Sequence, residues 1–249
     1  MDAVPCPGAV STPEHPSSSS TLHVLAAGSL RMPFEELAGD WRERTTVPLC
    51  ISYDNARELA RRIEAGERAD VFASASPEHP AALHARGLVD EPHPFATNRL
   101  VVSVPFRSDA HDAGILAEPG CRVAIETEGI PLGDYTRTLL ERLEQLRGQG
   151  FAAAVMANVV SQERTVAAVI ARLDSGEADA AVLYNTDVIA TDGRLRAIEV
   201  PPDAWVHGTY VIATVCAAAQ PHAADAWLTL IHGQIGRVIL GAAGFGVPR

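Results

Sequence analysis

Apolar residues along this chain fall into two alternating patterns. Leu22-His23-Val24-Leu25-Ala26-Ala27 is a short, nearly continuous apolar run, which predicts a buried strand. Gly28-Ser29 ends it. Leu30, Phe34, Leu37 and Trp41 then recur at steps of four, three and four, the spacing of one helix face, with Pro33 in the first turn where a missing N–H costs little. Pro48 to Tyr53 predicts a second strand, Leu59, Ala60 and Ile63 a short helix closed by Gly66, and Asp70 to Ala73 a third strand. Ser76-Pro77 reads as an N-cap followed by proline at the first helical position. Such alternation of strand and helix is the signature of a parallel sheet with crossover helices.

A second block of the same kind comes after the apolar strand Leu100 to Val104. Arg122 to Ile125 is a strand, and Tyr135, Leu139, Leu140, Leu143 and Leu146 line a helix. Val166, Val169, Ile170 and Leu173 line another, stopped by Gly176, before the strand Ala180 to Tyr184. Tyr210 to Val215 is β-rich, and two helical patterns close the chain, around Trp227, Leu228 and Ile231 and around Ile235, Val238 and Ile239. No repeat of 20–50 residues is present. Two α/β blocks joined by two extended strands predict two lobes, residues 22–104 with 208–249 and residues 105–207, with a ligand cleft between them.

Composition narrows the function classes. The chain has 249 residues and a net charge of −11, which argues against a nucleic-acid surface. The same charge would not steer an anion inward, so any anion site must work through local donors. All 20 basic residues are arginine. No run approaches the ~20 apolar residues that span a membrane. Residues 1–21, with Pro5, Pro7, Pro13, Pro16 and the serines 17–20, read as a disordered tail. They have neither the basic start nor the apolar core of a signal peptide. On that reading the export signal is absent from this chain, or the protein stays in the cytoplasm. Cys6, Cys50, Cys121 and Cys216 show no zinc spacing, and the last three, among apolar neighbours, read as small core residues. Enzyme signatures are missing: Ser29 sits in Ala-Gly-Ser-Leu rather than G-x-S-x-G, and there is no phosphate-binding glycine loop.

Five stretches, in order and at compatible spacing, resemble the periplasmic molybdate-binding proteins of bacterial ABC importers. They are Ala26-Ala27-Gly28-Ser29-Leu30; the run from Leu59 to Gly66 with Ala69 to Ala75; Asn98-Arg99-Leu100-Val101-Val102; Ile130-Pro131-Leu132-Gly133-Asp134-Tyr135; and Gly176 to Asp187. The resemblance covers about Leu22 to Pro248. It implies a type II periplasmic-binding-protein fold of two α/β lobes joined by two hinge strands. It further implies a non-enzymatic receptor for molybdate or tungstate with no cofactor, an ABC permease and ATPase as partners, a monomeric state, and a periplasmic or extracellular location.

Residue by residue, the resemblance places a hydroxyl and an N–H on Ser29, N–H donors on Leu132 and Val166, and a phenol on Tyr184. These neutral donors suit a dehydrated dianion, because helix starts carry free N–H groups and a positive dipole end. No residue is implied as a direct cation ligand. Each position also has a plain structural reading: Ser29 as an N-cap, Tyr184 as a packing residue, Leu132 and Val166 as core side chains, and Asp70, Asp134 and Asp187 as caps or turn residues. One departure stands out. Where the family has a serine-rich turn, this chain has Tyr53-Asp54-Asn55-Ala56-Arg57-Glu58, so Ala56 replaces a binding hydroxyl. The Ala56 N–H or Asn55 would have to substitute. Arg57 is either a charged fork on a different, larger anion or a surface residue paired with an acid. A cytoplasmic oxyanion-binding protein and, more remotely, a hydrolase are the other readings.

Overall fold

The computed structural model describes residues 21–248. The expected tail up to residue 20, with Cys6, lies outside the described residues. In chain order the elements are β1 (Leu22–Ala27), a 3-10 turn (Gly28–Leu30), α1 (Arg31–Arg44), β2 (Leu49–Asp54), α2 (Ala56–Glu64), β3 (Val71–Ser74), α3 (Glu78–His84) and β4 (His93–Pro105). Next come β5 (Val123–Glu126), α4 (Pro131–Arg147), α5 (Phe151–Ala157), β6 (Val159–Glu163), α6 (Val166–Asp174), β7 (Ala180–Tyr184), α7 (Asn185–Ile189) and β8 (Leu195–Ile198). The chain finishes with β9 (His207–Thr214), α8 (Pro221–His232) and α9 (Gln234–Ala242).

Two compact units result. The first holds the chain up to Ala96, Thr209–Ala242 and the residues from Val247; the second holds Thr97–Gly208 and Ala243–Gly246. The division falls inside β4, not at residue 104 as the apolar pattern suggests. The reason is pairing: Leu100 to Ser103 bond β7 and Val102 to Pro105 bond β8, both in the second unit. Residues 243–246 join that unit because Gly246 exchanges backbone bonds with Thr97 and the Asn185 amide donates to the Gly244 carbonyl at 3.0 Å.

In the first unit β1 runs parallel to both β2 and β3, and β3 pairs antiparallel with β9. One face of the sheet packs on α2 and α3 through Leu25, Leu59, Ile63, Phe72 and Leu83. The helical spacing read from the sequence is what buries Phe34, Leu37 and Trp41. Around them Trp227 meets Phe34 and Trp41 edge-on at 5.6 Å, and Phe95 meets Tyr210 edge-on at 6.3 Å. Each such pair contributes about 0.5–1.5 kcal/mol beyond area burial.

In the second unit β5 is parallel to β6 and β7, while β4 is antiparallel to β7 and β8. The core is aliphatic, built on Val101, Val123, Ile125, Leu139, Leu143 and Val182. Residues 145–158 complete α4, which Gly148 caps, and form α5, which Gly150 at φ 94° starts. Two cysteines differ from expectation. Cys121 is buried, but Cys50 is half-buried on β2 and Cys216 is exposed, since it lies past the end of β9. None of these three is in a disulfide. No helix among the described residues is long and apolar enough to cross a membrane.

Candidate functional site

Every residue singled out as a donor lies at the start of a helix or immediately before one. In the first unit, β1 delivers Ser29 into the 3-10 turn ahead of α1. Its side chain is exposed, and its hydroxyl is 2.8 Å from the phenol oxygen of Tyr210 on β9. Among the described residues its side-chain partner is this phenol and not a histidine. Ala56 is the first residue of α2. Asn55 caps that helix by accepting from the Glu58 N–H at 2.9 Å, while its amide donates to Asp54 at 3.1 Å. Asn55 thus caps α2 with its side-chain oxygen and bonds Asp54 with its amide nitrogen. Arg57 is exposed, and among the described residues no acid pairs with it.

In the second unit, Leu132 lies in the first turn of α4 behind Pro131, and Val166 is the first residue of α6 behind the cap Thr165. Among the described residues neither N–H has an internal acceptor, as expected for first-turn amides. The Leu132 side chain is buried in the aliphatic core and Val166 packs against it, so both side chains are structural and only their backbones face outward chemistry. Gly133 explains the Pro-Leu-Gly sequence. A Cβ there would stand 1.9 Å from the Thr127 carbonyl oxygen, so only glycine lets α4 start this close to the end of β5. Arg137 fastens the same corner, donating to the Gly133 carbonyl at 2.7 Å. Tyr184 ends β7, and its N–H donates to Asp187 Oδ2 at 3.3 Å. Asn98 anchors α7 from β4 through its amide, which donates to the Thr186 hydroxyl at 2.8 Å.

The aspartates read as caps or turn residues accept backbone N–H groups near turns and element ends. Asp70 accepts from the N–H of His23 and of Gln220, and Asp134 accepts from the Gly129 N–H. Two carboxylates nonetheless accompany the second unit's donors. Burial pushes Asp187 up to about 6, helped by the charge of Glu126 and opposed by the Tyr184 N–H. Burial also raises Glu126, which is 3% exposed at the end of β5. Both are thereby shifted toward the neutral form. Among the described residues no cluster of His, Cys, Asp and Glu is arranged to hold a metal cation.

Sequence reasoning read Tyr210 only as part of a β-rich run. Its position over Ser29 depends on a partner 181 residues away, which no local pattern announces.

Comparison with known proteins adds three findings. The family model of the bacterial extracellular solute-binding proteins matches residues 22–246. The molybdate-binding protein ModA of Mycobacterium tuberculosis is 29% identical over 96% of this chain and 89% of its own length, and that of Escherichia coli K12 is 26% identical over 78% and 77%. Among solved structures, a substrate-binding domain from Clostridium difficile assigned to a molybdenum ABC transporter superposes with TM-score 0.83 at 21% identity, covering 92% of this chain and 99% of that one. The periplasmic molybdate-binding protein of Azotobacter vinelandii superposes with TM-score 0.71 at 22% identity, covering 92% and 100%.

Proposed function

This chain belongs to the bacterial extracellular solute-binding proteins, and from that premise we propose that it is the receptor of an ABC importer for a tetrahedral oxyanion, molybdate or tungstate. The fold is the type II periplasmic-binding-protein architecture its relatives share. The donor set argues for the ligand. Ser29, Ala56, Leu132, Val166 and Tyr184 offer hydroxyl, phenol and unbonded first-turn N–H groups, all of them neutral. Neutral donors at helix starts suit a compact dianion that must shed its water. The observation that carries the reading is that all five positions bracketed by the resemblance fall at helix starts, in both units.

The protein performs no turnover, holds no cofactor, acts as a monomer outside the cytoplasmic membrane, and passes its ligand to a permease driven by an ATPase.

Calorimetric titration with molybdate, repeated in excess sulfate, tests this. One-to-one binding indifferent to sulfate is the expected result. Absence of heat with molybdate and tungstate alike would remove the oxyanion assignment and leave the fold in place.

A second reading rests on Arg57, whose exposed guanidinium has no acid partner among the described residues beside the hydroxyl-less Ala56 turn. It favours a larger anion with a carboxylate or phosphonate. Arg57→Ala separates the two: molybdate binding stays as it is on the first reading, and the organic anion is lost on the second.

A further inference from the structure

The first unit contains a cavity of about 660 Å3 that the oxyanion site does not use. It opens at Trp41, Arg44 and Thr45, at the far end of α1 from Ser29. A 14-residue helix places roughly 20 Å between those ends. One wall is Trp41 with Val47. The other is a single face of α8, where Ala223, Ala226 and Leu230 succeed one another at steps of three and four, and Ile235 at the start of α9 closes the end.

The cavity is preformed. The Trp41 indole N–H donates to the Val47 carbonyl at 2.8 Å, which locks the ring to the loop beside it. At the α8–α9 turn the backbone packs so closely that a Cβ on Gly236 would stand 2.0 Å from the Ile231 carbonyl oxygen. A concave, mostly apolar pocket of this size suits a small organic ligand; such sites run from about 300 to 1,000 Å3.

Its electrostatics select the ligand. The chain carries 31 acidic residues against 20 basic ones, yet no acid lines this cavity, and Arg44 is its charged group beside His222. The nearest carboxylate partner of Arg44, Asp40, is 3.8 Å away, too far for a hydrogen bond. This ion pair is loose and the Arg44 side chain is 56% exposed, so the fork has donors left for a carboxylate. We propose that this cavity is a second binding site, for a small monocarboxylic acid whose carboxylate pairs with Arg44 while its aromatic or aliphatic body lies against Trp41, Ala226 and Leu230. The pairing is the bidentate kind for which the planar fork is shaped.

The test titrates the full chain with octanoate and 4-phenylbutyrate, and with octanol and 4-phenylbutanol as uncharged counterparts, reading calorimetric heat and tryptophan fluorescence. Each acid is expected to bind one to one, about tenfold or more tighter than its alcohol, as a charge-assisted pair requires. Arg44→Ala brings the acid down to the alcohol. Ala226→Trp fills the groove from an exposed position, leaves the circular dichroism unchanged, and abolishes binding of both. Molybdate titrations of the two variants match the parent, which keeps this site separate from the oxyanion reading. Equal affinity for acid and alcohol, binding that survives Ala226→Trp, or no binding by any of the four probes overturns the proposal. So does a concentration-dependent dimer that Ala226→Trp disrupts, since a second copy would then be the occupant.

Discussion

The Ser29 hydroxyl and the Tyr210 phenol form a 2.8 Å contact between the turn after β1 and the strand β9. With the phenol donating, the serine proton is left to point toward an anion. Tyr210→Phe keeps the ring against Phe95 and removes the phenol hydroxyl. Molybdate affinity is expected to fall by about 0.5–1.5 kcal/mol, the net value of one such bond, while the melting temperature changes little. In the Ser29→Ala background the same change should cost nearly nothing. Full additivity in that double-mutant cycle would show that the two hydroxyls act independently.

Gly133→Ala is the sharpest structural test of the second unit. The added methyl collides with the Thr127 carbonyl, so α4 must shift away from β5. Overpacking of this kind costs about 1–3 kcal/mol. A chain of 249 residues should then melt several degrees lower, since each kcal/mol shifts Tm by roughly 2–4 °C. Molybdate binding should weaken beyond what the lost stability explains, because the Leu132 N–H moves with the helix.

Ala56→Ser restores a hydroxyl at the first position of α2 without disturbing the Asn55 cap. On the oxyanion reading it adds a charge-assisted bond, and affinity rises by about 1.5–3 kcal/mol where geometry is ideal. An unchanged titration would place Ala56 away from the ligand.

The pH dependence of stability has a sign fixed by Asp187. Its carboxyl titrates at about 6 in the folded chain against 3.8 for an unperturbed aspartate. Between those two values the folded state holds the proton more tightly than the unfolded state. Its contribution is therefore fully present below about pH 4 and is lost as pH rises through 6. Glu126, also raised by burial, acts in the same direction. Paired acids such as Asp112 and Asp179, which their arginine partners hold low, act oppositely and are present in both proteins compared. Urea unfolding of the parent and of Asp187→Asn across pH 4 to 7 isolates the effect: relative to the asparagine variant, the parent should lose stability with rising pH up to about 6 and then level off. Parallel curves would mean that Asp187 titrates as an ordinary exposed acid.

Local signals made the architecture readable. Ala-Gly-Ser after an apolar run, Pro-Leu-Gly before a helical period, and Thr before Val166 each announce a helix start through residues that touch in sequence. What escaped depends on distance or on short length. The Thr97-Asn98-Arg99 portion of β4 is polar enough to hide a strand, and its bonds lie on other segments. β6 alternates half-buried and exposed positions, with Val160 56% exposed, so it lacks the apolar run that marked its neighbours. The five residues of α7 are too few for a helical period to emerge. Asn55, read from the sequence as a possible donor, proves to cap α2 through its side-chain oxygen. Cys216 is apolar-flanked in sequence and exposed in space, because the strand that would have buried it has already ended.

The four crossings of the chain between its units set an order of assembly during synthesis. Apart from residues 243–246, the second unit is one uninterrupted stretch, Thr97–Gly208, so its sheet can close while the ribosome is still adding the C-terminal residues. The first unit begins earlier and finishes later. Val71 to Ser74 wait for Val211 to Thr214, and Trp41 waits for Trp227. The half that is born first is thus the last to become native, and chains truncated after Gly208 would carry a second unit lacking only residues 243–246 beside a first unit still missing its β9 pairing and its indole partner.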